Sequence, residues 1–426
     1  MVWTVLIKRA PVAGLCLVLT SVALAEPARL TLSTGLEYSD NVGKDAKNSK
    51  DDVTSINEFG LSNKVSKGPL DVDFNLSAMY QNYLNDSFKD WVMTESYLDA
   101  TYKFNKQFSW LLEDRLSDVP EDSSKADTPD NIVRLNVFKT GPKYTRYWNQ
   151  RNFTELSAYF IDVSYEGRQI DSQRLRGVAT QNWLYADLYR SGVQGEVESA
   201  RIDDAKQTNT ESGSLAFLLG KTFRYGQWGA KLGAATLTRN NDDKLDATDE
   251  GWIGQFDFLY KVTGKTDFSA EVGREFTDSA SDKVLSGFDE LKVLRAIDVI
   301  EQDRFRLALD YELSKRDRYQ VSFTSFSDKY QDQNFTEKSR NTRFRWMHWH
   351  TPRIQSAINV TRQMNEFSNS NVTKKLWQSG YSLSYMPTKH VQVAGYVRYE
   401  EAEFNTSLSD YNEFATGFTL TWMSRK

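Results

Sequence analysis

From residue 29 onward, apolar and polar residues take turns at period two, in segments of about ten residues. Leu30, Leu32, Leu36 and Tyr38 fall on one face, and Thr31, Ser33, Gly35 and Glu37 on the other. Phe59, Leu61 and Val65 lead into the turn Lys67-Gly68-Pro69, after which Leu70, Val72, Phe74, Leu76, Ala78 and Tyr80 alternate with Asp71, Asp73, Asn75 and Ser77. That pairing predicts a β-hairpin with one apolar and one polar face. The pattern returns at Trp252, Phe256, Phe258, Tyr260 and Val262, at Phe305, Leu307, Leu309, Tyr311 and Leu313, and in the closing Phe414, Phe418, Leu420 and Trp422. Residues 131–204 fit least well, because Arg174 to Tyr189 alternates almost equally in either register.

Short separators such as Thr263-Gly264-Lys265 and Thr351-Pro352-Arg353 alternate with long polar ones at 41–51, 117–130, 239–250, 277–302, 328–337, 365–373 and 401–410. This rhythm predicts an all-β fold: a transmembrane antiparallel up-and-down β-barrel of about 18–20 strands, with short periplasmic turns and long extracellular loops. So wide a barrel is not filled by its own wall side chains, so an aqueous lumen is expected. A soluble β-sandwich also alternates, but has no reason to place aromatics at strand ends. Here Tyr38, Tyr80, Trp91, Tyr102, Trp110, Trp228, Trp252, Tyr260, Trp346 and Trp422 cluster there, as interfacial girdles require.

The first 25 residues read as a secretory signal peptide: Lys8 and Arg9, an apolar stretch from Ala10 to Ala23, and the small-residue site Ala23-Leu24-Ala25 before Glu26-Pro27. Residues 26–426 are then a single barrel domain in the cell outer membrane, with no room for a periplasmic, plug or peptidoglycan-binding domain. The only cysteine, Cys16, lies in the signal peptide, so the exported chain has no disulfide to rely on.

Composition narrows the chemistry. Charged residues make up 26% of the chain and are spread throughout, which excludes membrane-spanning helices beyond the leader. The formal charge of -5 gives no footing for nucleic acid. Of three histidines, His348 and His350 share the lipid-side phase near a periplasmic turn and lack a third metal ligand nearby, while His390 has no Ser or Asp partner in sequence. No phosphate loop, zinc spacing or nucleophile elbow occurs, so neither an enzyme nor a cofactor is expected.

The polar phase carries the charge. Late strands bear Arg304, Arg306, Arg318, Arg343, Arg345 and Arg398, interspersed with Asp310 and Glu312, while early strands bear Glu37, Asp71, Asp73, Glu95, Asp99 and Glu113. Two arrangements are open: a basic wall facing an acidic wall across water, which guides a charged or sugar solute, or local pairing that satisfies the lumen lining. Tyr97 and Tyr396 are inward-phase aromatics available to stack on a sugar. Segment 277–302 holds Val284, Phe288, Leu291, Leu294 and Ile297 at roughly helical spacing, as a gating helix has, yet an extension of the wall fits as well.

A first strand ending Leu36-Glu37-Tyr38-Ser39-Asp40-Asn41-Val42 soon after a signal peptide resembles the outer-membrane β-barrel porins associated with bacterial exopolysaccharide biosynthesis and export. That resemblance implies a conduit for secreted or capsular polysaccharide, working with a periplasmic polysaccharide-export lipoprotein and an inner-membrane chain-length regulator. It implies a structural role for Asp40 and Asn41. The residues by themselves also allow a general or sugar-selective diffusion porin for small hydrophilic solutes, or an adhesin without transport; in every case outer-membrane lipids are partners. N-terminal sequencing of the protein recovered from outer membranes is expected to begin at Glu26, and an intact Met1 would refute the leader.

Overall fold

The computed structural model describes residues 28–424 apart from 46, 122–124, 167–170, 186–187, 205–206, 242–243, 283–297, 332, 369–370 and 406–409. The proposed leader, and most of the segment offered above as a gating helix, lie outside the described residues. Twenty strands account for nearly all the rest. They are β1 (Arg29–Ser39), β2 (Asp52–Lys67), β3 (Leu70–Tyr83), β4 (Trp91–Lys103), β5 (Phe108–Pro120), β6 (Ile132–Tyr147), β7 (Asn152–Tyr165), β8 (Asp171–Tyr185), β9 (Tyr189–Asp203) and β10 (Asn209–Phe223). The second half holds β11 (Gly226–Asn241), β12 (Lys244–Thr263), β13 (Thr266–Asp278), β14 (Val299–Glu312), β15 (Asp317–Tyr330), β16 (Phe335–Thr351), β17 (Ile354–Phe367), β18 (Val372–Thr388), β19 (Val391–Phe404) and β20 (Tyr411–Met423).

Each strand pairs antiparallel with the next, and β1 pairs with β20, with Leu32 opposite Trp422 and Leu36 opposite Phe418. The sheet is therefore a closed up-and-down barrel with no free edge, as a bilayer demands of a β-structure. The chain folds as an outer-membrane β-barrel, at the upper end of the expected strand count.

Period two sorts most of the side chains, although Val65, Val72, Phe74 and Leu98, in the outward phase of β2–β4, are buried. Leu32, Leu36, Phe59, Tyr80, Tyr102, Trp110, Phe217, Leu232, Trp252 and Trp422 are exposed on the outward phase, where lipid meets them. Trp91 departs from its expected girdle place. It stands opposite Gln81 in the phase of Glu95 and Tyr97, hence inward. His348 and His350 are outward at the periplasmic end, bonded to Asp317 at 2.7 Å and to the Ser356 hydroxyl at 3.0 Å. His390 bonds the Met423 carbonyl oxygen at 2.9 Å.

Two glycines set local geometry. Gly68 turns the β2–β3 hairpin at φ +61°, a conformation that favours glycine. Gly141 sits where the β6–β7 ladder is interrupted without a change of register, between the Thr140–Phe160 and Lys143–Ser157 pairs, and a Cβ there would lie 1.9 Å from the Ala158 carbonyl oxygen. Gly141→Ile should therefore disrupt that seam and deplete the heat-modifiable folded band on unboiled SDS gels; an unchanged band would show that the seam tolerates a side chain.

Candidate functional site

The lumen is the concave face, and its two ends differ. At the extracellular end the inward side chains are buried: Leu135, Ile161, Val163 and Ile202 on one side, Ala235, Leu237 and Ile253 on another, and Leu376, Ala402 and Phe404 on a third. Toward the periplasm the same phase becomes wet. Along β16, Phe335 is buried whereas Arg343 and Arg345 are exposed, with Met347 beyond them buried against Ala357, and along β19 the buried Glu400 gives way to partly exposed Arg398 and Tyr396. The aqueous lumen expected from barrel width is thus confined to the periplasmic half. Loops folded inward, together with apolar inner residues, occupy the other half.

Two segments pack the mouth. The chain after β13 turns inward across β12 to β9, and Asp278, Ala280 and Asp282 reach β8. Arg174, fully buried, donates to both Asp278 carboxylate oxygens at 2.8 and 2.6 Å and to Glu198 at 2.9 Å. Arg176 binds Glu198 and Asp282, with Glu196 at 3.4 Å. Both arginines sit in the stretch whose register was ambiguous from sequence; pairing of Arg174 with Ile161 and Ala200 turns them inward and leaves Leu175 outward.

The second segment is the β5–β6 connection. Lys374 on β18 donates to the Lys125 carbonyl oxygen at 2.6 Å and lies 3.6 Å from Asp127, while Ala126 packs on the Leu376, Ala402, Phe404 and Tyr411 cluster. By way of β1 and β20, β5 and β18 are seven strands apart, about 34 Å of wall at ~4.8 Å per strand. The connection therefore crosses the mouth as a chord. Beside it Lys44, from the β1–β2 loop, reaches Glu400 at 2.7 Å, and Glu400 also accepts from Tyr411 and Gln378 at 2.7 Å each. Asn41 and Asp40 tie that loop to β20: Asn41 donates to the Asn412 carbonyl oxygen at 2.8 Å, and Asp40 accepts from the Phe414 N–H at 2.7 Å.

All thirteen candidate residues singled out from sequence fall in the phase opposite the exposed apolar set. The acids of β3–β5 stand across the lumen from the arginines of β14–β16, nine strands away one way round and eleven the other. Local pairing tempers the contrast. Lys103 binds Asp71, Lys64 binds Asp73 at 2.6 Å, Arg115 is 4.0 Å from Asp99, and Lys139 holds Glu113 at 3.0 Å. Tyr97 donates to Asp73 at 3.2 Å. Glu95 is exposed without a described bond.

Across the lumen Arg304 lies over Gly273, 3.5 Å from Glu271 and 3.8 Å from Glu275, and Arg306 stands opposite Glu271. Arg318 grips Asp310 through two bonds. Arg398 is shared between Glu37 and Glu413, 3.3 Å from each, and Tyr396 donates to Glu37 at 2.7 Å. Arg343 and Arg345 stand out. They rim a hollow of about 460 Å³ with Gln320, Asn359 and Thr361, and Arg345 bonds no described residue.

No known protein family and no curated protein matches the sequence. Among solved structures, the chain is similar to the FrpB iron transporter of Neisseria meningitidis (TM-score 0.48, 8% identity, covering 93% of this chain and 82% of that one) and to the copper transporter OprC (0.45, 8%, 93% and 80%). It is also similar to the ferric yersiniabactin uptake receptor FyuA of Yersinia pestis (0.40, 11%, 93% and 80%). At these scores the likeness reaches the barrel and no further. None of the three is a polysaccharide channel or a diffusion porin. Among the described residues, moreover, inward-folded segments held by Arg174 and Lys374 lie across the mouth, where either would need a wet path. The expectations of exopolysaccharide or capsular export, of an export lipoprotein as partner and of a general or sugar-selective porin are corrected accordingly.

Removing Arg174 strands Asp278 as a buried carboxylate without its ion-pair partner and leaves Glu198 to Arg176 alone, a penalty of ~3–5 kcal/mol that release of the inward segment relieves. In mature protein, which lacks native thiols if the leader is cleaved, Ala280→Cys should label slowly with a water-soluble maleimide and much faster when combined with Arg174→Met. Equal labelling would show that the ion cluster does not hold the segment.

Proposed function

We propose that this chain is an outer-membrane transporter whose extracellular mouth is closed at rest and opens for a specific ligand, which is then received on the arginine ledge of β16. The observation that carries this reading is the contrast along one inner face, buried at the extracellular end and wet toward the periplasm. A permanent pore has no use for two cross-lumen segments, one fixed by buried ion pairs and the other by a buried lysine on a backbone carbonyl. A gate that must close reliably and open on demand does, because such pairs are strong together and costly when only one partner leaves.

The ligand we infer is a compact anion, of the size and charge of a metal ion held by carboxylate chelators. In the hollow beside β15–β17, which Asp267 and Asp310 also line, Arg318 and Gln320 already occupy Asp310, so the exposed Arg343 and Arg345 carry its positive charge, with Arg345 bonding no described residue. Guanidinium forks suit carboxylates, and Gln320, Asn359 and Thr361 offer further polar atoms. Iron and copper belong to the solved barrels named above; a ferric citrate complex serves here as a probe of suitable charge and size.

Purified protein in planar bilayers should show little resting conductance, and Arg174→Met should raise it. Titration with ferric citrate should give saturable binding that weakens about tenfold or more in Arg343→Ala/Arg345→Ala, the scale expected when charge-assisted contacts are lost. Steady large conductance in the unaltered protein would overturn the gate, and unchanged binding in the double variant would overturn the ledge.

A further inference from the structure

The outward phase should be apolar wherever acyl chains touch it, and across most of the barrel it is. On β15–β18 this changes near the extracellular end. Lys329, Lys338, Arg340, Arg362 and Lys375 are all exposed on the outward face of these four adjacent strands, with Glu366 as the one carboxylate among them. Pairing groups three of the cations tightly. Arg340 and Lys375 stand on either side of Met364, and Arg362, two residues along from Met364 on the same face, pairs with Thr342 and Trp377. With strands ~4.8 Å apart, three long basic side chains converge on a patch about 10 Å wide.

Directly toward the periplasm the face turns greasy. Phe344 pairs with Val360, and Trp377 and Tyr381 are exposed on β18. This apolar belt fixes the level: the cations lie just above the acyl chains, at the outer headgroup layer. Lipid-facing charge is costly at the bilayer centre and mild at the interface, where it meets lipid headgroups. Some of the charge is engaged at the margins, since Arg340 lies 3.5 Å from Glu366, Lys375 3.7 Å from Glu403 on β19, and Lys329 4.0 Å from Glu301 on β14. Asp303 and Glu401 also flank the strip from β14 and β19. Lys338 and Arg362 bond no described residue. Among four strands the balance stays five cations to one acid.

We propose that this strip is a binding site for the phosphate groups of an outer-leaflet glycolipid, with Arg340, Arg362 and Lys375 around Met364 as its phosphate-contacting residues and the Phe344–Trp377 surface as the seat of an acyl chain. The site lies outside the barrel and does not depend on what crosses the lumen.

The test uses full-length barrel purified from outer membranes in mild detergent, with bound lipid read by native mass spectrometry. Arg340→Ala/Arg362→Ala/Lys375→Ala should retain phosphorylated glycolipid at least about tenfold less well than the unaltered protein. Arg201→Ala, which removes an exposed outward cation on β9, should retain it fully. All three proteins should run as folded bands on unboiled gels, so lost lipid cannot be misread as lost structure. In nanodiscs, binding should be strong to the phosphorylated glycolipid, weak to its dephosphorylated form, and insensitive to millimolar inorganic phosphate. Equal retention by the triple variant, equal binding of the dephosphorylated lipid, displacement by free phosphate, or loss in Arg201→Ala would each overturn the proposal.

Discussion

Everything in this molecule rests on the demand that no backbone amide face hydrocarbon unpaired. Hairpin after hairpin satisfies that demand locally, but the two outermost strands satisfy it only by finding each other. The β1–β20 seam, nine residue pairs from Thr31 with Met423 to Ser39 with Ala415, is thus the bond that converts a sheet into a vessel. Once the ring is closed, the side chains are freed from holding the wall. They can be apolar outside for lipid and charged inside for whatever the vessel holds.

The inner face uses that freedom in two different ways. Near the periplasm, acids and bases pair with neighbours on adjacent strands and remain wet, which costs little and leaves charges such as Arg345 available. Near the cell exterior, the charges are buried and reach across the ring to loops far away in sequence. Arg174 with Asp278 and Lys374 with the Lys125 carbonyl are of this second kind. Burial makes these contacts strong only as complete sets. A structure held this way is steady until one member moves, and then yields as a unit.

The phase of every lumen residue named from sequence was legible because a period of two admits no intermediate answer: Asp71 and Asp73 must share a face if Val72 and Phe74 share the other. Strand number was legible nearly as well, since turns and loops mostly alternate; the exception is the polar segment 239–250, expected as a long loop, where β11 and β12 run on as a paired hairpin and leave only residues 242–243 between them. Trp91 was misassigned because a girdle is recognised by residue type at a strand end, and type does not report phase. In the stretch around Arg174 the apolar count on both faces was nearly equal, as happens when a wall is buried on both sides. The packed mouth left no local signal at all. Lys125, Ala126 and Asp127 read as an ordinary polar loop, and only their distant partners on β18 and β19 show that they point inward.

That distant pairing has a consequence for assembly. Lys374 is separated from Lys125 by 249 residues, and the wall between them passes through the seam. The β5–β6 connection comes early in the chain, but its docking ground on β18–β20 comes last, so this part of the mouth can be sealed only once the final strands are in place.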